Sequence, residues 1–437
     1  MGKTIITGVL CPSFIFAILK LYLLKKTIGC LLLFIFFIGC KNSANKKETD
    51  DSLQYYPPTP AVLNKQEFRN YYRQLSGFFD TMLLDKNFNG GIIVARNGAI
   101  IYEKYKGYID LRKKDTLTDS TSLHIASTTK TFTATAILRM VEEKKLSLDD
   151  SLAKFFPGFP YPGITVKMLL THRSGLPNYL YFMPKDEWED LSKERGAKQY
   201  VTNNDVLNYL ITKKPDKIFI AGSRFNYCNT NYVLLALIIE RISGKPFPEY
   251  MQQKFFGPLQ MQHTFVFTLK DTLTAAPSFS SNGAYWVNDF LDATYGDKNI
   301  YTTPRDLLKW DQALYTSQIL DRNMLDAAFR GYSFEKPGIH NYGLGWRLQL
   351  MPNGKKVIYH FGKWHGFNAA FSRLTDEKVT IIILGNRFTR MIYNAAHLCY
   401  DIFGDYQQRP GNDEEETDSI PTDKKPVTQK SVTKGKR

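Results

Sequence analysis

Cysteine is scarce in this chain, with 5 among 437 residues, and Cys11 and Cys30 fall in the first 39. The other three, Cys40, Cys228 and Cys399, form neither a Cys-x-x-Cys pair nor an even framework. That excludes a disulfide-stapled scaffold, a zinc ribbon and a dithiol redox centre. A His-Glu-x-x-His helix is also missing, and His365 has no third ligand at a metal-binding spacing, so no metal and no cofactor are expected. Internal repeats are absent. So are helix-turn-helix, zinc-knuckle and RNA-binding signatures, and the formal charge of +15 is therefore not read as nucleic-acid binding. Lys3, Lys20, Lys25 and Lys26 carry part of that charge in a stretch with no acidic residue before position 40. The remaining basic residues are scattered, which suits a surface facing anionic cell-envelope material. Large apolar residues nearly vanish near the C-terminus, and residues 406–437 are expected to be a disordered polar tail.

Apolar residues are plentiful elsewhere. Hydrophobic content is 43% and aromatic content 14%, enough for a large core with an extended sheet. Residues 25–40 read KKTIGCLLLFIFFIGC, two lysines before an apolar run that is too short to span a bilayer comfortably. Ile38-Gly39-Cys40 resembles a bacterial lipobox, with Phe37 where leucine is usual. The expectation is a signal peptide over 1–39, lipid attachment at Cys40 and a tether over 40–63. A retained membrane anchor through Ile5 to Leu24 is the rival reading. Either places the folded part outside the cytoplasm, membrane-anchored in the cell envelope.

The folded domain is expected over 64–405. Helical spacing runs through Phe68, Tyr72, Leu75, Phe79 and Leu83. Asn97-Gly98 between two β-rich runs, Gly91 to Ala95 and Ala99 to Tyr105, signals a hairpin. Near the other end, Val357 to His360, Phe367 to Leu374 and Val379 to Asn386 read as strands, followed by a helix from Met391 to Phe403. Thr131 to Lys144 and Tyr232 to Ile242 read as helices between these ends, the second stopped by Ser243-Gly244. The pattern predicts an α+β fold, one antiparallel sheet closed by both ends of the chain, flanked by helices and carrying an all-helical subdomain.

Three strings carry chemistry. Ser127-Thr128-Thr129-Lys130 is followed by Tyr227-Cys228-Asn229 and then His360-Phe361-Gly362. Ser-x-x-Lys recurs at Ser43, Ser151, Ser333 and Ser431, whereas the other two strings occur once each. A serine opening a helix has a lysine three residues on along the same face. Burial would favour the neutral amine, and either that amine or a Tyr227 phenolate stabilised by the lysine could take the serine proton. The helix N-terminus adds partial positive charge where an oxyanion must form. Asn229 could orient Lys130 and the substrate carbonyl. Cys228 is read as a small buried filler.

With IASTTKTFT at 125–133, ITVKMLLTHRSGLP at 164–177, FNYCNTNY at 225–232 and YTTPRDLLKW at 301–310, the chain resembles the penicillin-recognising serine hydrolases. The resemblance is to the β-lactamase-related branch with class C β-lactamases, D-alanyl-D-alanine carboxypeptidases and related esterases, and it runs from about Gly91 to Phe403. It implies Ser127 as nucleophile, Lys130 as its base, Tyr227 as general base and proton donor, and Asn229 as a positioning group for substrate. His172 is implied to belong to a structural turn. His360-Phe361-Gly362 stands where such proteins carry Lys-Thr-Gly or a variant. Gly362 would leave room for substrate, and the Lys363 amide would complete the oxyanion hole with that of Ser127. His360 would replace only part of the missing charge, because its ordinary pKa leaves it mostly neutral at pH 7. Phenylalanine offers no hydroxyl, so neutral esters are expected to be preferred over β-lactams, with Lys363 or Arg373 as possible sources of charge. The expected partner is a small-molecule or peptide substrate hydrolysed through a Ser127 acyl-enzyme. A D-Ala-D-Ala carboxypeptidase or β-lactamase, and a catalytically silent envelope-binding protein, are the alternatives.

Overall fold

The structure, a computed structural model, describes residues 60, 62–182, 186–187 and 200–407. The expected leader, Cys40, most of the tether and the tail beyond 407 lie outside the described residues.

Asn64 caps the first helix, α1 (Lys65–Phe79), its side-chain oxygen accepting the Glu67 N–H at 2.8 Å. α1 buries Leu75 and Phe79 and leaves Phe68 and Tyr72 partly in solvent. Strands β1 (Gly90–Arg96) and β2 (Ala99–Lys106) follow. Asn97 and Gly98 between them both have positive φ, the backbone that a tight two-residue hairpin requires. β3 (Leu123–His124) leads through a short turn into α2 (Thr129–Glu142). The helical part continues with α3 (Val166–Leu170), α4 (Asn203–Lys213) and α5 (Asn229–Ser243), and Gly244 in the left-handed conformation ends α5 as the sequence predicts. β4 (Phe265–Val266), the ladder of β5 (Ser278–Phe279) with β6 (Tyr285–Trp286), β7 (Ile300–Thr302) and α6 (Pro304–Ala313) complete the middle of the chain.

The C-terminal part supplies β8 (His340–Tyr342), β9 (Arg347–Leu350), β10 (Lys356–Trp364), β11 (Phe367–Leu374), β12 (Val379–Gly385) and α7 (Met391–Cys399). Seven strands form one antiparallel sheet in the order β2-β1-β12-β11-β10-β9-β8, as expected from the two chain ends. β11 and β12 are buried at every position, so they read as continuous apolar runs rather than alternating ones. Alternate residues still divide between two layers. Ile92, Val94, Ile381 and Ile383 pack with α1 and α7, while Ile93, Ala95, Ile382 and Leu384 join the larger core that includes α2 and α5.

Three features depart from expectation. The middle of the chain, read from sequence as helical, also carries a small sheet β3-β7-β4 and the β5-β6 ladder. β8 and β9 were not legible, because glycines at 343 and 345 interrupt their short runs. β10 runs past His360 through the whole third motif, where a strand ending at His360 was expected. Among the described residues no helix is long and apolar enough to cross a membrane.

Candidate active site

Ser127 lies in a 3-10 turn, Ala126–Thr128, that runs directly into α2. Lys130 is one turn further on and wholly buried, and its Nζ is 2.9 Å from Ser127 Oγ and 2.9 Å from the Asp297 carbonyl oxygen. That is within proton-transfer reach of the hydroxyl. α2 is buried on nearly every side, and its threonines are satisfied locally: Thr131 Oγ1 donates to the Thr128 carbonyl and Thr135 Oγ1 to the Thr131 carbonyl, each at 2.8 Å. Ala126, just before the nucleophile candidate, has φ +46, a conformation rare for a residue with a side chain. Its N–H donates to His124 Nδ1 at 3.1 Å, and His124 Nε2 faces Asn299 Oδ1 at 2.9 Å. Burial pushes His124 down to about 3, so this support stays neutral.

Tyr227 and Asn229 arrive at the start of α5. Lys130 Nζ lies 4.9 Å from the Tyr227 ring centroid, which brings the first two motifs together. Asn229 is nearly buried at the first position of α5. Cys228 between them is buried, with Sγ 3.4 Å from the Leu176 carbonyl oxygen. Burial raises its thiol to about 11, which fits a packing role. His172, read from sequence as part of a structural turn, has its ring 4.3 Å from that of Tyr227, centroid to centroid. The turn is thus part of the site's wall.

The third motif enters along β10. β9 pairs only with Lys356 to Tyr359, so from His360 onward that edge is open to the Ser127 turn. Thr128 Oγ1 donates to the His360 carbonyl at 3.1 Å. A Cβ on Gly362 would sit 2.3 Å from the Ile125 carbonyl oxygen and 2.8 Å from Ser127 N, so any larger residue must displace the turn. Lys363 follows, half-buried, with Nζ 5.0 Å from the Phe388 ring centroid.

Three expectations about this motif need correction. His360, expected beside the substrate, is wholly buried, with Nδ1 2.8 Å from the Phe361 carbonyl oxygen and Nε2 3.2 Å from Tyr342 Oη. Burial, reinforced by the charges of Arg347 and Lys130, pushes its pKa well below the ordinary value, so it supplies no charge. Phe361 does not face Ser127. Its ring packs at 5.5 Å on Tyr393 and 5.0 Å on His397, in the layer covered by α7. Arg373 is buried against Asp311, with Nε 2.5 Å from Oδ1, and is committed to the core.

Arg347 on β9 also reaches the site, its guanidinium 5.1 Å from the Tyr227 ring centroid. No motif pointed to it. Asp297 was also missed, because it meets Lys130 through a backbone carbonyl that any residue type could present. Among the described residues, Asp289, Asp292 and His365 bring three potential ligand atoms within 4.8 Å of one another, so the fold gives His365 the partners that sequence spacing did not. The Asp292 carboxylate already accepts from Trp364 Nε1 at 2.5 Å and lies 2.9 Å from His365 Nε2.

The chain is similar to proteins already known. A family model described as beta-lactamase matches residues 75–397. The chain is 28% identical to penicillin-binding protein 4* of Bacillus subtilis over 366 residues, 79% of each chain. Among solved structures, a penicillin-binding protein from Bacillus halodurans superposes with a TM-score of 0.64 at 22% identity, covering 75% of this chain and 99% of that one. A D-amino acid amidase from Ochrobactrum anthropi SV3 gives 0.60 at 23% identity, covering 72% and 91%.

Proposed function

From the premise that this chain belongs to the beta-lactamase family of serine hydrolases, we propose that it hydrolyses an ester or amide through an acyl-enzyme on Ser127. The observation that carries the reading is the 2.9 Å contact between a wholly buried Lys130 and Ser127 Oγ, with the Tyr227 ring beside it. Ser127 Oγ attacks the carbonyl carbon while neutral Lys130 accepts its proton. The oxyanion is held by the N–H groups of Ser127 and Lys363, and Asn229 orients the carbonyl. Tyr227 passes a proton to the departing alcohol or amine. Water then attacks the acyl-serine, the Tyr227 phenolate takes up its proton, and Lys130 returns its proton to Ser127 Oγ as the acid is released.

Arg347 favours a substrate bearing a carboxylate near the scissile bond, as in a peptide ending in D-amino acids or a β-lactam. This replaces the preference for neutral esters, which rested on the lysine and hydroxyl missing from His360-Phe361-Gly362. A guanidinium–carboxylate hydrogen bond contributes about 1.5–3 kcal/mol, or about ten- to a hundredfold in kcat/KM. Arg347→Ala should therefore lower kcat/KM for carboxylate-bearing amides and nitrocefin about 10–100-fold more than for p-nitrophenyl acetate. Equal losses on both classes would remove Arg347 from substrate recognition, and no turnover of any of them by the wild type would remove the hydrolase reading itself.

We also propose export with lipidation at Cys40, supported by the apolar run that ends at Gly39. The intact mass of membrane-fraction protein should correspond to a chain starting at a diacylglyceryl-modified Cys40. A mass retaining residues 1–39 would point to the anchor through Ile5 to Leu24 instead.

A further inference from the structure

The residues on either side of Tyr227 are both tied through their backbone N–H to a single residue. The Asn226 N–H donates to the His172 carbonyl oxygen at 2.9 Å, and the Cys228 N–H donates to His172 Nδ1 at 3.1 Å. Between these two bonds the imidazole lies 4.3 Å from the Tyr227 ring at an interplanar angle of 34°. The rings of Tyr342 and Tyr232, at 4.8 and 5.1 Å, confine it further.

The tautomer follows from the neighbours. Ser174 Oγ donates to Asn231 Oδ1 at 2.7 Å, since its own oxygen is engaged by the Leu176 N–H. This turns Asn231 Nδ2 towards His172 Nδ1, at 3.3 Å. Nδ1 thus faces two N–H donors and must be the acceptor, leaving the proton on Nε2. Burial, then the nearby Lys130 charge, pushes the ring's pKa well below its ordinary value, so the acceptor persists across working pH. The backbone of His172 is left-handed, with φ +54, a costly conformation that the surrounding bonds maintain.

Ser127 and Lys130 sit at the rigid start of a buried helix, whereas Tyr227 ends a loop. We propose that His172 is a positioning residue for the hydrolytic reaction, clamping the backbone of both neighbours of Tyr227 and the plane of its ring so that the phenol stays in register with Ser127 and Lys130. This rests on the acid/base role given above to Tyr227. A misplacement of about 1 Å in such a group costs on the order of a hundredfold in rate.

Two substitutions separate the clamp from mere packing. His172→Phe keeps a ring and removes the acceptor, while His172→Asn keeps an oxygen acceptor close to the position of Nδ1 and tolerates the left-handed backbone. On p-nitrophenyl acetate, His172→Phe should lower kcat about a hundredfold with KM within about threefold, and His172→Asn should recover to within about tenfold of the wild type. In parallel, 3-fluorotyrosine placed at position 227 should give one sharp fluorine resonance in the wild type and in His172→Asn, but a broadened or split one in His172→Phe. If His172→Phe does not fold, His172→Gln, whose amide reaches past the Cys228 N–H, takes its place. A kcat within about threefold of wild type in the acceptor-less variant, or an unchanged sharp resonance, would overturn the clamp. An inactive wild type would count against the role of Tyr227, and the fluorine measurement would still decide whether His172 fixes it.

Discussion

Replacing Ser127 with alanine should abolish covalent labelling by a fluorophosphonate and lower ester turnover by about four orders of magnitude or more, since a nucleophile has no substitute in acyl transfer. Stability should hardly change. The substitution deletes one hydrogen bond, from Lys130 Nζ, and a net contribution of about 0.5–1.5 kcal/mol is at stake. Lys130 keeps its bond to the Asp297 carbonyl, so its Nζ is not stranded. Loss of activity with an unchanged melting temperature is therefore the expected pair of results. An alanine variant that still accumulates an acyl adduct on the protein would show that another residue is the nucleophile.

Acidification should unfold the protein well before its carboxylates titrate. His124, His172 and His360 are all wholly buried and held neutral, His124 at about 3 and the other two well below their ordinary value. Burial is the largest cause in each case. In the unfolded chain each returns to about 6.5 and takes up a proton that the native state refuses. Stability is therefore full above about pH 6.5 and falls as the pH drops towards the folded values. Linkage gives about 1.4 kcal/mol per pH unit for each histidine, or roughly 4 kcal/mol per unit while all three stay neutral in the native state. Against a typical total of about 5–15 kcal/mol, that decides whether the chain is folded. Urea midpoints measured at pH 7.5, 6.5, 5.5 and 5.0 should fall steeply below 6.5. A flat midpoint down to pH 5 would mean that one or more of these rings is charged or solvated in the native protein.

What the sequence made legible follows the range of the signal. Asn97-Gly98 specifies its turn within two residues, and the hairpin appeared where expected. Ser127 and Lys130 share a helical turn, so their contact follows from spacing alone. The third motif was recognised as a string, but its side-chain directions were not, because a strand's faces are known only once its register is known. Phe361 therefore looked like a substrate neighbour and proved to be core. Arg347 was invisible for a related reason: it belongs to a four-residue strand whose partner is set by distant pairing. Asp297 acts through a backbone carbonyl, which leaves no trace in residue identity. His172 was recognised, but its grip on the Tyr227 loop spans more than fifty residues of sequence.

The pairing of β1 with β12 also sets a clock on synthesis. Gly90 pairs with Gly385, so the edge of β1 opposite β2 has no partner until nearly the whole domain has been made. At roughly 5–20 residues per second, translation from the end of β2 to the end of β12 takes about 15–60 s. Throughout that interval an apolar strand, Gly90–Arg96, offers an unsatisfied edge to any extended segment nearby. The nucleophile turn emerges early and Gly362 late, so the emerging chain remains catalytically incomplete until its last strands are available.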